Sequence, residues 1–289
     1  MPASHKMRIT ILGCGSSGGV PRIGGKDGKG RWGACDPDNP KNRRRRCSIL
    51  VEQISAHDDW SDADKRTVIL VDTAPDLREQ LLSARVNRLD AVFITHDHAD
   101  QLHGLDDLRV LAIHHRKRIP VWSHELTSPE LHDRFAYCFV QAEGSFYPPI
   151  LEKNLIPALH QPVIIDGPGG GICVTAFEQG HGGVISLGFR FSPAKGEPFN
   201  AVYSSDVAQL PPRSLDEARG ADLWIVDALR YTPHPSHANV EQALAWIQQA
   251  KAKRGILTNL HIDLDYETLQ AETPDNIEPA YDGMVIELP

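Results

Sequence analysis

The sequence has few cysteines, no long apolar run and no apolar leader. Its 289 residues include five cysteines, an odd number without a CxxC pair, which excludes a disulfide framework and favours a reducing compartment. No apolar stretch reaches the roughly 18 residues that a transmembrane helix needs, and the first ten residues contain no apolar signal-peptide core. These absences predict a cytoplasmic protein that does not enter a membrane.

Positive charge is also in short supply. Thirty Lys and Arg residues face 38 Asp and Glu residues, which gives a formal net charge of −8. This balance argues against nucleic acid as a partner, because such proteins commonly rely on a broad basic surface. Hydrophobic residues make up 41% of the chain, enough for a sizeable core, and we expect one domain over residues 1–289. The oligomeric state stays open, with a homodimer as one option.

The early glycine-rich stretch does not match a nucleotide-binding loop. A first strand is predicted at 7–15, and residues 16–46 follow with seven glycines and three prolines, a composition typical of a long functional loop. The run GCGSSGG fits neither GxGxxG nor GxxxxGK[ST] before a helix. The four consecutive arginines at 43–46 are interpreted first as a solvated patch, and second as a source of phosphate-facing side chains.

The most informative stretch runs from residue 91 to 109, AVFITHDHADQLHGLDDLR. Apolar residues lead into a polar turn and then into leucines at helical spacing, which predicts a buried strand, a turn and a helix. His96 and His98 point the same way in an extended segment, and Asp100 lies where the helix begins. These ligand types suit zinc, manganese or iron, although an HxH pair also arises by chance in a chain with 14 histidines.

Further ligand-type residues follow other predicted strands. His181 stands in EQGHGG, Asp206 ends AVYSSD, and His261 ends GILTNLH. Asp72, at the end of a strand at 67–73, either caps the next helix or orients a metal-bound histidine. Because binding sites gather on loops at one edge of a sheet, these residues are predicted to converge.

The remaining predicted elements are strands at 47–54, 119–123, 172–177, 184–191, 201–205 and 223–226, helices from residue 75, at 129–139 and at 240–253, and an irregular segment at 141–170.

Taken in order, THDHAD, a lone HG, YSSD and a late LH resemble the motifs HxHxDH, His, Asp and His of the metallo-β-lactamase fold of metal hydrolases. The stretches GCGSSGGVP, WGACDPDNPKNRR, DTAPDLREQLL and GLDDLR are similar to the branch containing phosphoribosyl cyclic phosphate phosphodiesterases, a branch related to tRNA 3′-processing nucleases. The resemblance spans the chain from residue 13 to His261. It implies an αββα sandwich, in which two mixed β-sheets are flanked by helices.

The resemblance also implies two divalent metal ions, Mn²⁺ or Zn²⁺. The implied ligands are His96, His98 and His181 for the first ion, Asp100 and His261 for the second, and Asp206 as the bridge. Gln101 departs from the motif, which has a histidine there, so the second ion is expected to be weakly held, to be a harder ion such as manganese, or to be absent. His103 is a poor substitute because it faces another direction on the helix. Cys35 alone lies in the early loop, so no cysteine-held structural zinc is expected there.

His237 and Asp100 are the expected catalytic residues. By resemblance, His237 lies near the leaving group, where it would donate a proton or bind the phosphate of the substrate. The bland alternative is that His237 or Ser236 only caps the following helix, and His234 is a weaker rival for the catalytic role.

The implied reaction is hydrolysis of a small phosphorylated substrate. The resemblance predicts that a metal-bound hydroxide attacks the phosphorus of a cyclic phosphodiester, such as a phosphoribosyl cyclic phosphate, with an arginine of the early loop offsetting charge. Two other classes stay open, because a fold does not determine a substrate. One is a hydrolase of RNA ends, thioesters or lactones, and the other is a non-catalytic protein that binds a nucleotide or a phosphosugar through a degraded second metal site.

Overall fold

The computed structural model describes residues 4–196 and 199–289, and within them the strands form two seven-stranded sheets. The strands are β1 (His5–Gly13), β2 (Ser48–Ser55), β3 (Thr67–Val71), β4 (Ala91–Phe93), β5 (Ile119–Ser123), β6 (Leu151–Leu155), β7 (Pro162–Ile165), β8 (Ile172–His181), β9 (Val184–Pro193), β10 (Ala201–Ser204), β11 (Leu223–Asp227), β12 (Gly255–Thr258), β13 (Ile277–Pro279) and β14 (Val285–Leu288). The α-helices are α1 (Leu77–Ser83), α2 (Ala99–Leu102), α3 (Arg109–His115), α4 (Ser128–Phe139), α5 (Pro212–Glu217), α6 (Val240–Ala250) and α7 (Tyr266–Glu272), and short 3₁₀ turns lie at Pro40–Asn42, Ala63–Lys65 and Leu105–Leu108.

Each sheet is antiparallel on one side and parallel on the other. The first sheet has the order β14-β1-β2-β3-β4-β5-β6, and its strands run parallel from β3 to β6. The second has the order β13-β12-β11-β10-β9-β8-β7, and its strands run parallel from β10 to β13. Since parallel strands end at the same edge, the residues that follow them are brought together there.

The main core lies between the two sheets. Alternate residues of the central strands point into it, among them Phe93 of the first sheet and Phe189 of the second, whose rings meet edge to face with centroids 5.4 Å apart. A second apolar cluster joins the first sheet to α1–α4, and a third joins the second sheet to α5–α7. The layers are therefore helix, sheet, sheet, helix, which confirms the predicted αββα sandwich of two mixed sheets.

Two sequence expectations about local structure are corrected. The segment 141–170, expected to be irregular, contains β6 and β7, which are the edge strands of the two sheets. The single helix expected after His98 is broken into α2, a 3₁₀ turn and α3. The break falls at Gly104, whose amide donates to Thr73 O at 2.8 Å and whose Cα lies against the backbone of Ala74. In the described residues, we find no helix with the length and apolar character to cross a membrane.

Candidate metal centre

Polar residues with strained backbones gather at the ends of the parallel strands. Asp72 follows β3, Asp206 follows β10 and Asn259 follows β12, with φ angles of 62°, 52° and 63°. Non-glycine residues seldom adopt this left-handed region, and such strain concentrates at functional sites. All three side chains are buried, with at most 2% of their surface exposed. The fold thus directs several polar groups into one buried place at the edge between the two sheets.

Three histidines converge at this edge, as the sequence predicted. His96 and His98 follow β4, and His181 is the last residue of β8. Their ring centroids lie 4.4–5.1 Å apart, and one ligand atom of each lies within 4.8 Å of the others. A second group with the same spacing consists of His181, Asp206 and His237. The two groups share His181, so together they form one continuous cluster.

The donor atoms of the three histidines fit a divalent metal ion. His181 Nδ1 donates to Ser236 O at 2.5 Å, which leaves the lone pair on Nε2. That Nε2 lies 3.3 Å from His98 Nδ1, and two nitrogens bound tetrahedrally to zinc at about 2.05 Å are likewise about 3.3 Å apart. His96 Nε2 is buried without a hydrogen-bond partner in the described part of the chain. An unpaired buried nitrogen beside two others is the arrangement that a metal ion satisfies.

Asp72 orients His96 through Thr95. Thr95 donates its hydroxyl hydrogen to Asp72 at 3.0 Å, and Asp72 also accepts from the Thr95 amide at 2.8 Å. With its hydrogen committed, the Thr95 oxygen accepts from His96 Nδ1 at 3.0 Å. His96 Nε2 is thereby left deprotonated, and burial lowers the pKa of His96 to about 4. Asp72 therefore has the orienting role that the sequence analysis considered, and not that of a helix cap.

Asp206 is placed beside the histidine cluster, but two amides surround it. Gln101 Nε2 lies 3.2 Å from Asp206 Oδ2 and 3.3 Å from Asp100 Oδ2. Asn259 Nδ2 lies 3.3 Å from Asp206 Oδ1. Burial disfavours the ionised form of Asp206, yet the neighbouring histidines hold the pKa of this carboxyl below its usual value. Burial and the charge of Asp206 raise the pKa of Asp100.

His261 is not brought into these clusters. Its Nδ1 lies 2.9 Å from Asp263 Oδ2, and the residue that contacts Asp206 from the end of β12 is Asn259, two positions earlier. The alternation expected of an extended segment fails here because Asn259 has a left-handed backbone. His261 instead lies near Arg22 and Arg230, whose positive charges, after burial, help to lower the pKa of His261. His261 therefore lies outside the two groups of closely spaced ligand atoms in the described residues, and its role as a metal ligand stays a prediction.

His237, which is half-buried, pairs with the buried Asp227, the last residue of β11. His237 Nδ1 donates to Asp227 Oδ2 at 2.8 Å, and the ring centroid of His237 lies 4.7 Å from that of His181. Burial raises the pKa of Asp227 to about 6. Burial opposes the charge of His237 as well, but the Asp227 carboxylate and its hydrogen bond raise the pKa of His237 to about 9. The cap of α6 is Asn239, which accepts from the Gln242 amide at 2.8 Å, so neither His237 nor Ser236 serves as that cap.

The other candidates have structural partners. His103 packs its ring against Phe135, with centroids 6.0 Å apart, and does not replace the histidine missing at Gln101. His234 Nδ1 lies 3.2 Å from the hydroxyl of Ser236. The four arginines at 43–46 are occupied away from the cluster: Arg43 lies over Trp32, Arg44 donates to Leu264 O, Arg45 pairs with Asp282, and Arg46 pairs with Asp76. These partners favour the interpretation of the run as a structural or solvated patch, and a phosphate-facing role for one of the four arginines stays a prediction.

A surface pocket of about 710 Å³ opens beside His98. Its volume falls within the range of small-molecule sites. The residues that line it are Asp97, His98, Ala99, His103, Arg134 and Phe135. A small ligand bound there would contact His98, the exposed member of the histidine cluster.

Residues 67–262 match the family model of the beta-lactamase superfamily domain. The match covers more than half of the chain and includes every residue of the histidine cluster. The chain belongs to this family. Family membership and the two-sheet architecture confirm the metallo-β-lactamase fold. Members of this fold bind divalent metal ions. In the described residues of this chain, the histidine cluster could hold such an ion.

Solved structures extend the likeness over nearly the whole chain. One is described as a new diphosphatase from the PhnP family, with 28% identity, a TM-score of 0.79, and coverage of 98% of this chain and 97% of that one. Zn²⁺-bound PqqB from Methylobacterium extorquens shares the fold at 17% identity, with a TM-score of 0.71 and coverage of 97% and 100%. The short form of human tRNase Z does so at 16% identity, with a TM-score of 0.60 and coverage of 98% and 99%. The predicted resemblance to a phosphodiesterase branch of the superfamily is confirmed by the PhnP-family neighbour.

A curated relative covers the chain but is much longer than it. An octanoyltransferase from Porphyromonas gingivalis is 30% identical over 283 residues, which are 96% of this chain and 51% of that protein. The chain therefore spans about half the length of the curated relative that it matches.

Sequence reasoning did not select three residues that the structure places in the site. Asp227 ends an apolar strand, which is the same signal that drew attention to Asp72 and Asp206. Thr95 directly precedes His96, and threonine at that position carries no distinctive pattern. Asn259 was passed over in favour of His261, because histidine is the commoner metal ligand.

Proposed function

We propose that this member of the superfamily is a metal-dependent hydrolase of small phosphodiesters, with cyclic phosphate sugars or nucleotides as the preferred class. The observation that carries the proposal is the His237–Asp227 pair, in which a buried carboxylate holds an imidazole directly against the three-histidine cluster. A metal site alone would suit many reactions. An oriented imidazole next to it supplies the acid that a departing alkoxide needs.

The ligands that we propose are His96, His98, His181 and Asp206. A bound divalent ion would supply Lewis-acid activation of a phosphoryl oxygen and of a water. The chain's own groups then orient the reaction. Asp72 and Thr95 hold His96, and Ser236 holds His181, so both rings present a free Nε2 to the same point.

We propose that His237 donates a proton to the leaving oxygen. Asp227 engages Nδ1, which leaves Nε2 to donate to substrate. Asp227 does not touch substrate in this scheme and is a positioning residue. Asp100, expected from the sequence to be catalytic, is hydrogen-bonded to Gln101, and we propose that its role is to complete the polar wall of the site.

Basic groups beside the site favour an anionic substrate. After burial, the charges of Arg22, from the early loop, and Arg230 help to lower the pKa of His261. Arg230 also helps to lower the pKa of His234, after burial and the charge of His237, and the ring centroid of His234 lies 5.1 Å from that of His237. Arg230 is held by Thr232 O at 3.1 Å and Pro233 O at 2.8 Å, so its position is fixed by the backbone. In a chain with a net charge of −8, a local concentration of positive groups attracts a phosphate against the overall field.

A diphosphate is the second candidate substrate, because the structure at 28% identity is described as a diphosphatase. Thioesters, lactones and RNA ends remain further options for the same fold. The name octanoyltransferase belongs to a relative about half of which lies outside the match, so it does not support an acyl-transfer assignment here.

The test is a substrate panel with matched variants. The metal-loaded protein is assayed on bis(p-nitrophenyl) phosphate, a ribose cyclic phosphate, a nucleoside diphosphate, a thioester and a lactone. We expect turnover of the phosphodiesters, its loss in Asp206→Ala, and a fall of roughly 10²–10⁴-fold in kcat for His237→Gln. Asp227→Asn should reduce kcat as well, and the double variant should be no worse than His237→Gln alone, because Asp227 acts through His237.

His57→Gln is the control, since this exposed histidine follows β2 at the opposite edge of the first sheet. It should leave kcat unchanged. Full activity in Asp206→Ala, or turnover of only the thioester or lactone, would contradict the proposal. Additive losses in the double variant would remove the positioning role of Asp227.

A further inference from the structure

We propose that this chain binds one divalent ion, and that the side-chain amides of Gln101 and Asn259 occupy the place where a second ion would lie. The inference rests on the metal-dependent function proposed above, but its test counts ions and does not depend on turnover. The sequence pointed to Gln101 alone as a departure from the motif and predicted His261 as a ligand of the second ion.

Both amides contact carboxylates that a second ion would need. Gln101 Nε2 contacts Asp206 at 3.2 Å and Asp100 at 3.3 Å, so it stands between the two acids. Asn259 Nδ2 contacts the other oxygen of Asp206 at 3.3 Å. Gln101 has no exposed surface and Asn259 has 1%, so neither side chain is free to swing into solvent.

The carboxylates determine which way each amide faces. An ionised carboxylate only accepts hydrogen bonds, so an amide beside it must present N–H and not its oxygen. The volume between Asp100 and Asp206 therefore contains amide hydrogens. An amide N–H has no lone pair to offer a cation, and a divalent ion placed there would meet positive partial charges.

The same amides replace what a second ion would do for the protein. Two neighbouring buried carboxylates repel each other unless donors or a cation lie between them. Gln101 bridges Asp100 and Asp206, and Asn259 donates to the other oxygen of Asp206. Asp206 is consequently oriented on both of its oxygens while it still faces the histidine cluster. The remaining ligand set for one ion consists of His96, His98, His181 and Asp206.

Metal stoichiometry tests the inference directly. The wild-type protein and the double variant Gln101→His/Asn259→His are saturated with Mn²⁺, freed of excess ion and analysed for metal per chain and by electron paramagnetic resonance. We expect one ion per wild-type chain, with the spectrum of an isolated Mn²⁺. The double variant should gain a second ion and show a spin-coupled pair, because imidazole nitrogens replace the amide hydrogens.

Asn87→His/Gln249→His is the matched control, with the same two substitutions at exposed positions. It should keep one ion and so separate site repair from adventitious binding by added histidines. Two tightly held ions with a coupled spectrum in the wild type would overturn the inference. If the double variant does not fold, as judged by circular dichroism, Asp100→Asn decides the matter: one ion in both it and the wild type supports the inference, and loss of a second ion contradicts it.

The outcome is distinguishable from that of the functional proposal. One ion with no phosphodiester turnover would keep the amide assignment and reject the proposed substrate class. Two ions with phosphodiester turnover would reject the amide assignment and keep the proposed substrate class.

Discussion

At the scale of single residues, the site depends on which atom of each side chain is already engaged. His96 Nδ1 is committed to Thr95, His181 Nδ1 to Ser236 O and His237 Nδ1 to Asp227. Each bond selects a tautomer and leaves Nε2 for the chemistry. Such partners of ligands contribute to metal affinity without touching the metal, so they are the natural places to test the arrangement.

Thr95→Val should weaken metal binding by about 10–100-fold, because valine keeps the shape but removes the hydroxyl that links Asp72 to His96. The affinity is measured by competition with a chromophoric zinc chelator. Thr95→Ser retains the hydroxyl and should bind nearly as tightly as the wild type. Equal affinities for the valine and serine variants would show that the Asp72–Thr95–His96 chain does not orient the ligand.

At the scale of elements, the close approach of two short helices positions the ligand loop. Gly104 ends the turn after α2, and its amide donates to Thr73 O, just before α1. An added Cβ at this position would lie 2.1 Å from Ala74 O and 2.7 Å from Leu77 Cβ. Only glycine permits this approach, and the approach holds α2, which carries Asp100 and Gln101, against the start of α1.

Gly104→Ala should therefore lower the free energy of unfolding by at least about 1–3 kcal/mol, because the backbone must shift to admit the methyl group. The urea midpoint measures the loss. Gly183→Ala is the control, since nothing lies within 4 Å of its added Cβ and its φ is not positive; it should change stability by less than about 0.5 kcal/mol. If Gly104→Ala left the urea midpoint unchanged, the fold would accommodate the added methyl group without loss of stability.

At the scale of the whole molecule, the site joins the two sheets. His96 and His98 follow a strand of the first sheet, whereas His181 and Asp206 follow strands of the second. One backbone bond, from Leu187 N to Thr95 O at 3.0 Å, also crosses between the sheets at this point. A metal ion bound here would act as a cross-link between the two halves of the sandwich.

Removal of metal should thus lower the thermal stability of the protein. Saturation at about 1,000 times Kd contributes roughly 4 kcal/mol, which for a chain of this size corresponds to a fall in Tm on the order of 10 °C when a chelator is added. Scanning calorimetry with and without chelator measures the shift, and re-addition of Zn²⁺ or Mn²⁺ should restore it. In Asp206→Ala the shift should be small, because the weakened site holds little metal. An unchanged Tm in the wild type would argue that the cluster binds no structural ion.

The resemblance to the metallo-β-lactamase family predicted the αββα sandwich, whereas strand alternation, helical spacing and the ligand-type residues at strand ends predicted the individual elements and the approach of His96, His98 and His181. Those patterns are local, and they follow from the period of each element. The edge strands β6 and β7 escaped prediction, because prolines and polar residues surround them and their pairing with β5 and β8 is not visible in a local pattern. The broken helix after His98 was likewise decided by the distant contact of Gly104 with Ala74.

The sequence by itself determined the family, the fold and the types of residue available for a metal site. Tertiary structure alone decided that Asn259, and not His261, lies against Asp206, because a left-handed backbone at the end of β12 changes the direction of the side chains after it. It also decided that Gln101 donates to both Asp100 and Asp206. The contact of Gln101 with Asp206 joins residues 105 positions apart, and that of Asn259 with Asp206 joins residues 53 positions apart. Such contacts depend on how the strands and sheets pack rather than on any local pattern.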